Sequence, residues 1–102
     1  MNKTINLLTI CRKAGKLILG FDASKDAMLN NKAYLIILAS DISPKTEKEI
    51  RFFGGKTNVS VIKSNITIDE FYFGLGKKVG IICICDEGFA KKLTEITTSA
   101  DS

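Results

Sequence analysis

The chain has 102 residues, with fifteen lysines and arginines against eleven acidic residues, three cysteines, one proline and no histidine. That length accommodates one hydrophobic core, and the net charge of +4 favours a polyanionic partner without requiring one. The missing histidine removes the usual proton shuttle at neutral pH, and the longest apolar runs, Leu35 to Ala39 and Gly80 to Cys85, fall far short of the roughly 20 residues that cross a bilayer, so no membrane partner is expected.

Met1-Asn2-Lys3-Thr4 carries one lysine before an interrupted apolar patch from Ile5 to Ile10 and no small-residue cleavage site, which argues against a signal peptide and for a cytoplasmic protein. Leu7, Ile10, Cys11 and Ala14 recur at i, i+3, i+4 and i+7, predicting an amphipathic helix that Gly15 ends. Leu17-Ile18-Leu19 reads as a short strand. A second helix runs from Phe21 to Asn31 with Ala23, Ala27 and Met28 inside, and its opening turns hold Asp22 and Asp26, where acids suit the helix dipole. The stretch Lys13-Ala14-Gly15-Lys16-Leu17-Ile18-Leu19-Gly20 therefore predicts a bare helix N-terminus beside basic side chains, a seat for an anion.

Tyr34 to Ala39 is continuously apolar, the pattern of a central strand buried on both faces. Ser43 caps the next helix, with Pro44 at its first position, Thr46, Ile50 and Phe53 on its inner face and Gly54-Gly55 as its stop. Val59 to Ile62 reads as a strand. Thr67-Ile68-Asp69-Glu70 has the capping-box form and opens a helix with Ile68, Phe71 and Leu75 inside, ending at Gly74 or Gly76. Gly80 to Cys85 is a further buried strand, and Phe89, Leu93 and Ile96 line a last helix before a polar tail at 98–102 that is expected to be flexible. Helices alternating with doubly buried strands predict an α/β fold, a three-layer α/β/α sandwich with a mixed sheet of about four strands, as one domain over 1–97.

Little catalytic chemistry is available. A disulfide between Cys83 and Cys85, two apart on a strand, would be strained, and one close cysteine pair without histidine does not make a zinc site, so Cys11, Cys83 and Cys85 are expected as small core hydrophobes. Gly15-Lys16 does not complete a phosphate-binding P-loop, since Ile10 and Leu17 occupy the positions of its first glycine and its hydroxyl residue. Gly74 and Gly76 precede a strand instead of following one, and Ser24, Ser40 and Ser43 have no base by any spacing and read as caps. No catalytic residue, metal or cofactor is expected.

Binding suits the residues better. Gly20 allows close backbone approach, the amides from Phe21 to Ala23 can donate to phosphate, and Lys25 adds charge one turn in. Lys77-Lys78-Val79-Gly80 offers a matching piece, two cations followed by a small apolar surface against which an unstacked base can rest. The plainer reading, in which Gly20 makes a tight turn, Phe21 fills the core and the lysines are solvated, stays open on spacing alone.

From Leu7-Leu8-Thr9-Ile10-Cys11-Arg12-Lys13-Ala14-Gly15-Lys16-Leu17 through Ala33 to Asp41 and on to Asp86-Glu87-Gly88-Phe89-Ala90, the chain resembles the bacterial YlxQ-type members of the kink-turn-binding ribosomal protein family. The resemblance implies an α/β/α sandwich that binds kink-turn RNA through the helix start after the first strand and the loop before the last. Where such proteins commonly carry a G-x-N-E-x-x-K pattern, this chain reads Gly20-Phe21-Asp22-Ala23-Ser24-Lys25-Asp26. Gly20 matches, but Asp22 replaces an amide with an acceptor-only carboxylate, Ala23 lacks the acidic acceptor, and Asp26 puts negative charge where a lysine would meet phosphate.

The expected function is non-enzymatic binding of a kink-turn or similarly bent structured RNA, ribosomal RNA included, in company with ribosomal or translation proteins. Gly20, Phe21, Asp22 and Ala23 would approach the RNA, with Asp22 at a base edge. Lys25, Lys77 and Lys78 would take phosphates, Ile42, Val79 and Gly80 would supply apolar and backbone contacts, and Lys13, Lys16 and Lys32 are further phosphate candidates. The rival is a protein-interaction module on the same fold that docks a basic partner on the Asp22 and Asp26 face; a small-molecule enzyme or nucleotide sensor would need a concave pocket that the sequence does not announce.

Overall fold

In a computed structural model describing residues 2–98, the elements run α1 (Lys3–Lys13), β1 (Leu17–Leu19), α2 (Phe21–Leu29), β2 (Leu35–Leu38), α3 (Pro44–Thr57), β3 (Ser60–Lys63), α4 (Ile68–Leu75), β4 (Ile81–Ile84) and α5 (Glu87–Thr98). Local chemistry accounts for most of the boundaries. Ser43 accepts from the Thr46 amide with Pro44 behind it, Thr67 and Glu70 close their capping box, and Gly76 ends α4 in the left-handed region. Of the tail expected at 98–102, Thr98 belongs to α5 and residues 99–102 lie outside the described residues.

The strands form one mixed sheet in the order β1-β4-β2-β3, with β4 antiparallel to both β1 and β2, and β3 parallel to β2. Alternation along the two central strands feeds two cores. Leu35, Ile37, Ile82 and Ile84 face Leu8, Phe71 and Leu93 from α1, α4 and α5. Ile36, Leu38, Ile81 and Cys83 face Ala27, Met28 and Ile50 from α2 and α3. The expected three-layer α/β/α sandwich with a mixed four-stranded sheet is what these layers make, and each large side chain buried in them contributes roughly 1.5–3 kcal/mol. Among the described residues no helix is long and apolar enough to cross a membrane.

Three local expectations are corrected. The inner face of α1 is Thr4, Leu8 and Cys11, while Ile10 is 55% exposed and Ala14 lies outside, because α1 is rotated to meet α4 and α5. On α2, Ser24 and not Ala23 is buried beside Ala27 and Met28, and its hydroxyl is without a hydrogen-bond partner. Gly54-Gly55 does not stop α3, which continues to Thr57 and ends at left-handed Asn58. Gly54 faces β3 so closely that a Cβ there would lie 2.6 Å from Val61 Cγ2 and 3.0 Å from the Val59 carbonyl, so close packing explains this glycine. The thiols are free: Cys11 and Cys83 are buried and Cys85 is half-buried.

Candidate nucleic-acid interface

β1 and β2 are each antiparallel to β4, and β3 is parallel to β2, so all three direct their carboxyl ends to one rim of the sheet. The helices that follow them, α2, α3 and α4, begin at that rim, which gathers three positive dipole ends. Backbone bonds hold it together: the Gly20 amide donates to the Ile81 carbonyl at 2.9 Å, and the Ala39 amide to the Gly80 carbonyl at 2.9 Å.

Two of those helix starts satisfy their own amides. Ser43 Oγ accepts from the Thr46 amide at 3.2 Å, Thr67 Oγ1 accepts from the Glu70 amide at 3.1 Å, and Asp41 Oδ1 accepts from the Ile68 amide at 2.9 Å. The start of α2 is different. Its cap is Gly20, which brings no side chain, and its first intrahelical bond is Ser24 N–H to the Gly20 carbonyl at 3.2 Å, so the amides of Phe21, Asp22 and Ala23 have no intrahelical partner. Gly20 has φ 103° and ψ 164°, a region essentially restricted to glycine, and a Cβ built on it would meet nothing within 4 Å. The backbone is exposed to whatever approaches.

The start of α2, at Gly20 and Phe21, opens on a cleft of about 540 Å³ between the β1–α2 turn, the β2–α3 turn and the α4–β4 loop. Gly20 and Phe21 form one side, Lys77, Lys78, Val79 and Gly80 another, with Asp41, Ile42 and Ser43 between them. Val79 and Ile42 are 6% and 8% exposed, so they form a low apolar wall more than a protruding contact. Lys78 Nζ lies 3.9 Å from Asp69 Oδ1, both side chains largely exposed, a tether that solvent screens. Lys77 has no ion-pair partner among the described residues. The cleft can receive an anion on backbone amides and lysines and a flat apolar group against Val79.

The structure thus brings together Gly20, Phe21, Ile42, Lys77, Lys78, Val79 and Gly80. Asp22 and Ala23 stand exposed on the first turn of α2, beside the cleft and outside its lining. Lys25 turns away, its ammonium 4.9 Å from the centre of the Phe53 ring on α3. The expected grouping of Lys13 and Lys16 with the start of α2 is corrected: Lys16 pairs across the sheet with Cys85, and Gly20 with Ile81, at opposite ends of β1. Four residue steps at about 3.3 Å each separate them by roughly 13 Å. Lys32 lies with Lys16 at that opposite rim. Thr46 and Ile68, read from the sequence only as helix-face residues, also line the cleft, and their position in the first turn of a helix that follows a strand was the available signal.

Among the described residues there is no group of three acidic or thiol side chains that could hold a metal ion. The profile of the ribosomal protein L7Ae/L30e/S12e/Gadd45 family matches residues 3–93. An Enterococcus faecium protein called RNA-binding protein YlxQ is 31% identical over 96 residues, covering 92% of this chain and 90% of its own. A Bacillus halodurans protein of unknown function superposes with a TM-score of 0.88 at 26% identity, over 95% of this chain and 98% of the other. A Giardia lamblia 15.5kD RNA binding protein superposes with a TM-score of 0.74 at 15% identity, over 95% and 83%, a likeness of fold alone.

Proposed function

The chain belongs to the ribosomal protein L7Ae/L30e/S12e/Gadd45 family as a non-enzymatic RNA-binding member, and from that premise we propose that it grips a kink-turn or similarly bent RNA in the cleft at the carboxyl ends of its strands. The observation that carries this reading is the uncapped start of α2, open to the same cleft as Lys77 and Lys78. A bend brings phosphates of two strand segments close together, and amide donors facing a lysine pair answer that crowding of charge. The backbone from Gly20 to Ala23 takes the closest approach, Asp22 accepts from a base edge, Lys77 and Lys78 take phosphates, and Val79 backs an unstacked base.

The same reading makes residues 1–97 one RNA-binding domain that works in the cytoplasm beside ribosomal RNA or translation proteins. The test is binding to a standard kink-turn RNA against an unkinked duplex of equal length at two salt concentrations. Selective binding to the kink that weakens with salt is the expected result. Equal binding to both RNAs that salt erases would overturn it and favour a protein-docking module on this fold.

A further inference from the structure

The rim opposite the cleft has its own concavity, of about 420 Å³, lined by Lys16, Ile18, Asn31, Lys32, Tyr34 and Cys85. We infer that this is a second RNA site, which takes an unpaired nucleotide with its base on the Tyr34 ring and its flanking phosphates on Lys16 and Lys32. The inference goes beyond the kink-turn reading and does not depend on it.

The lining has the two components that single-stranded nucleic acid needs, a π-face and cations. Tyr34 ends the turn before β2 with its amide bonded to the Ile84 carbonyl at 2.9 Å, so its backbone is fixed while its side chain remains half-exposed; the residue is 51% exposed. Half-buried Ile18 and Cys85 complete a largely neutral floor. Asn31, held at φ 57°, adds an amide that can both donate to and accept from a base edge.

The charged side chains that line this concavity are of one sign. Neither Lys16 nor Lys32 has an ion-pair partner among the described residues, and no acid lines the concavity. Asp86, next to Cys85 in the chain, spends its Oδ2 on the Phe89 amide at 2.9 Å and opens on a separate depression with Leu7 and Lys92. Helices α1 and α2 both end near this rim, which gives lysines there a structural reason to exist, since cations suit helix C-termini. Neutralising a helix end does not require a half-exposed tyrosine in the same concavity as the cations. Stacking a base does.

Tyr34 and Tyr72 are the only tyrosines and there is no tryptophan, so Tyr72→Phe leaves Tyr34 as the sole strong emitter. An oligouridine decamer titrated into that variant at low salt should quench the emission saturably, and should do so equally when Lys77 and Lys78 are both changed to alanine. Changing Lys16 and Lys32 together to alanine should lower the salt slope of decamer binding by about 1.4, at ~0.7 per phosphate on a single strand. With labelled decamer, Tyr34→Phe should keep the affinity and Tyr34→Leu should lose about tenfold of it. No quenching, equal affinity of the phenylalanine and leucine variants, or a slope untouched by the Lys16 and Lys32 changes would overturn the site. Quenching lost in the Lys77 and Lys78 variant would also overturn it, by placing the decamer in the other cleft.

Discussion

The two rims of the sheet are joined by a strand of three residues, and each presents a glycine, a pair of lysines and a concavity, yet the helix ends beside those lysines differ. At the Gly20 rim α2, α3 and α4 begin, and the amides of α2 are left for a ligand. At the Lys16 rim α5 begins but α1 and α2 end, and the carbonyl ends of α1 and α2 offset part of the charge that the lysines supply. The teaching is that equal lysine counts do not make equal anion sites. Backbone donors held by a helix pay no ordering entropy when a phosphate arrives, whereas exposed lysine side chains do. The Gly20 rim should therefore bind structured RNA tightly, and the Lys16 rim should bind single strands weakly and with strong salt dependence.

The largest expected effect separates the rims directly. Changing Lys77 and Lys78 to alanine should weaken kink-turn binding about thirtyfold at ~0.15 M salt, taking ~0.9 of salt slope per phosphate contact. The Lys16 and Lys32 double variant should leave a kink-turn without flanking single strands unaffected. Gel-shift titrations at several salt concentrations check both, and equal losses would erase the distinction between rims.

A second contrast uses the glycines, both at positive φ, 103° at Gly20 and 73° at Gly15, each with open space where a Cβ would go. Gly20→Ala should cost stability, about 1–3 kcal/mol of backbone strain, and also lower kink-turn affinity about tenfold by filling the space the RNA backbone needs. Gly15→Ala should be strained as well but leave RNA affinity alone. Urea unfolding alongside filter binding separates the two effects.

The departures on α2 should be reversible. Restoring Asp22→Asn and Asp26→Lys removes two carboxylates and adds a cation beside the cleft, and should raise kink-turn affinity about fivefold with a steeper salt slope. An unchanged affinity would mean that the native ligand does not reach this face.

The smallest effect belongs to the Lys16 rim. The Cys11 thiol, which donates to the Lys16 carbonyl at 3.5 Å, is pushed up from 9.0 to about 11, by burial first and then by the charges of Asp86 and Cys85. Burial raises the Cys83 thiol as well. Because the folded value lies above the unfolded one, this stabilisation is complete below about pH 9 and is lost as pH rises through 11. Urea midpoints should fall over that window, and Cys11→Ala should make the fall shallower.

Much of this was legible in the chain. Pro44 behind Ser43, the Thr67 and Glu70 box and the unbroken Leu35 to Leu38 run are local signals, and local chemistry met them. Gly20, Lys77 and Val79, which the fold gathers around one cleft, could be singled out in the chain because a glycine at a helix start and a basic turn are recognisable without their surroundings. Lys25 was misplaced because helical spacing does not say which neighbour a face meets, and here it meets Phe53. Gly54 was misread because a glycine that permits close packing against Val61 looks the same in sequence as one that ends a helix.

The sequence by itself determined which segments are helices, which strands are buried on both faces, and that the chain offers residues for binding and none for catalysis by any spacing. Which lysines lie together was decided only by the fold. Lys13, Lys16 and Gly20 are neighbours along the chain, but β1 runs the height of the sheet between Lys16 and Gly20, while antiparallel pairing with β4 carries Lys77 and Val79, nearly sixty residues later, to the side of Gly20. Strand direction sends the starts of α2, α3 and α4 to one rim and that of α5 to the other, and no local pattern of residues encodes that.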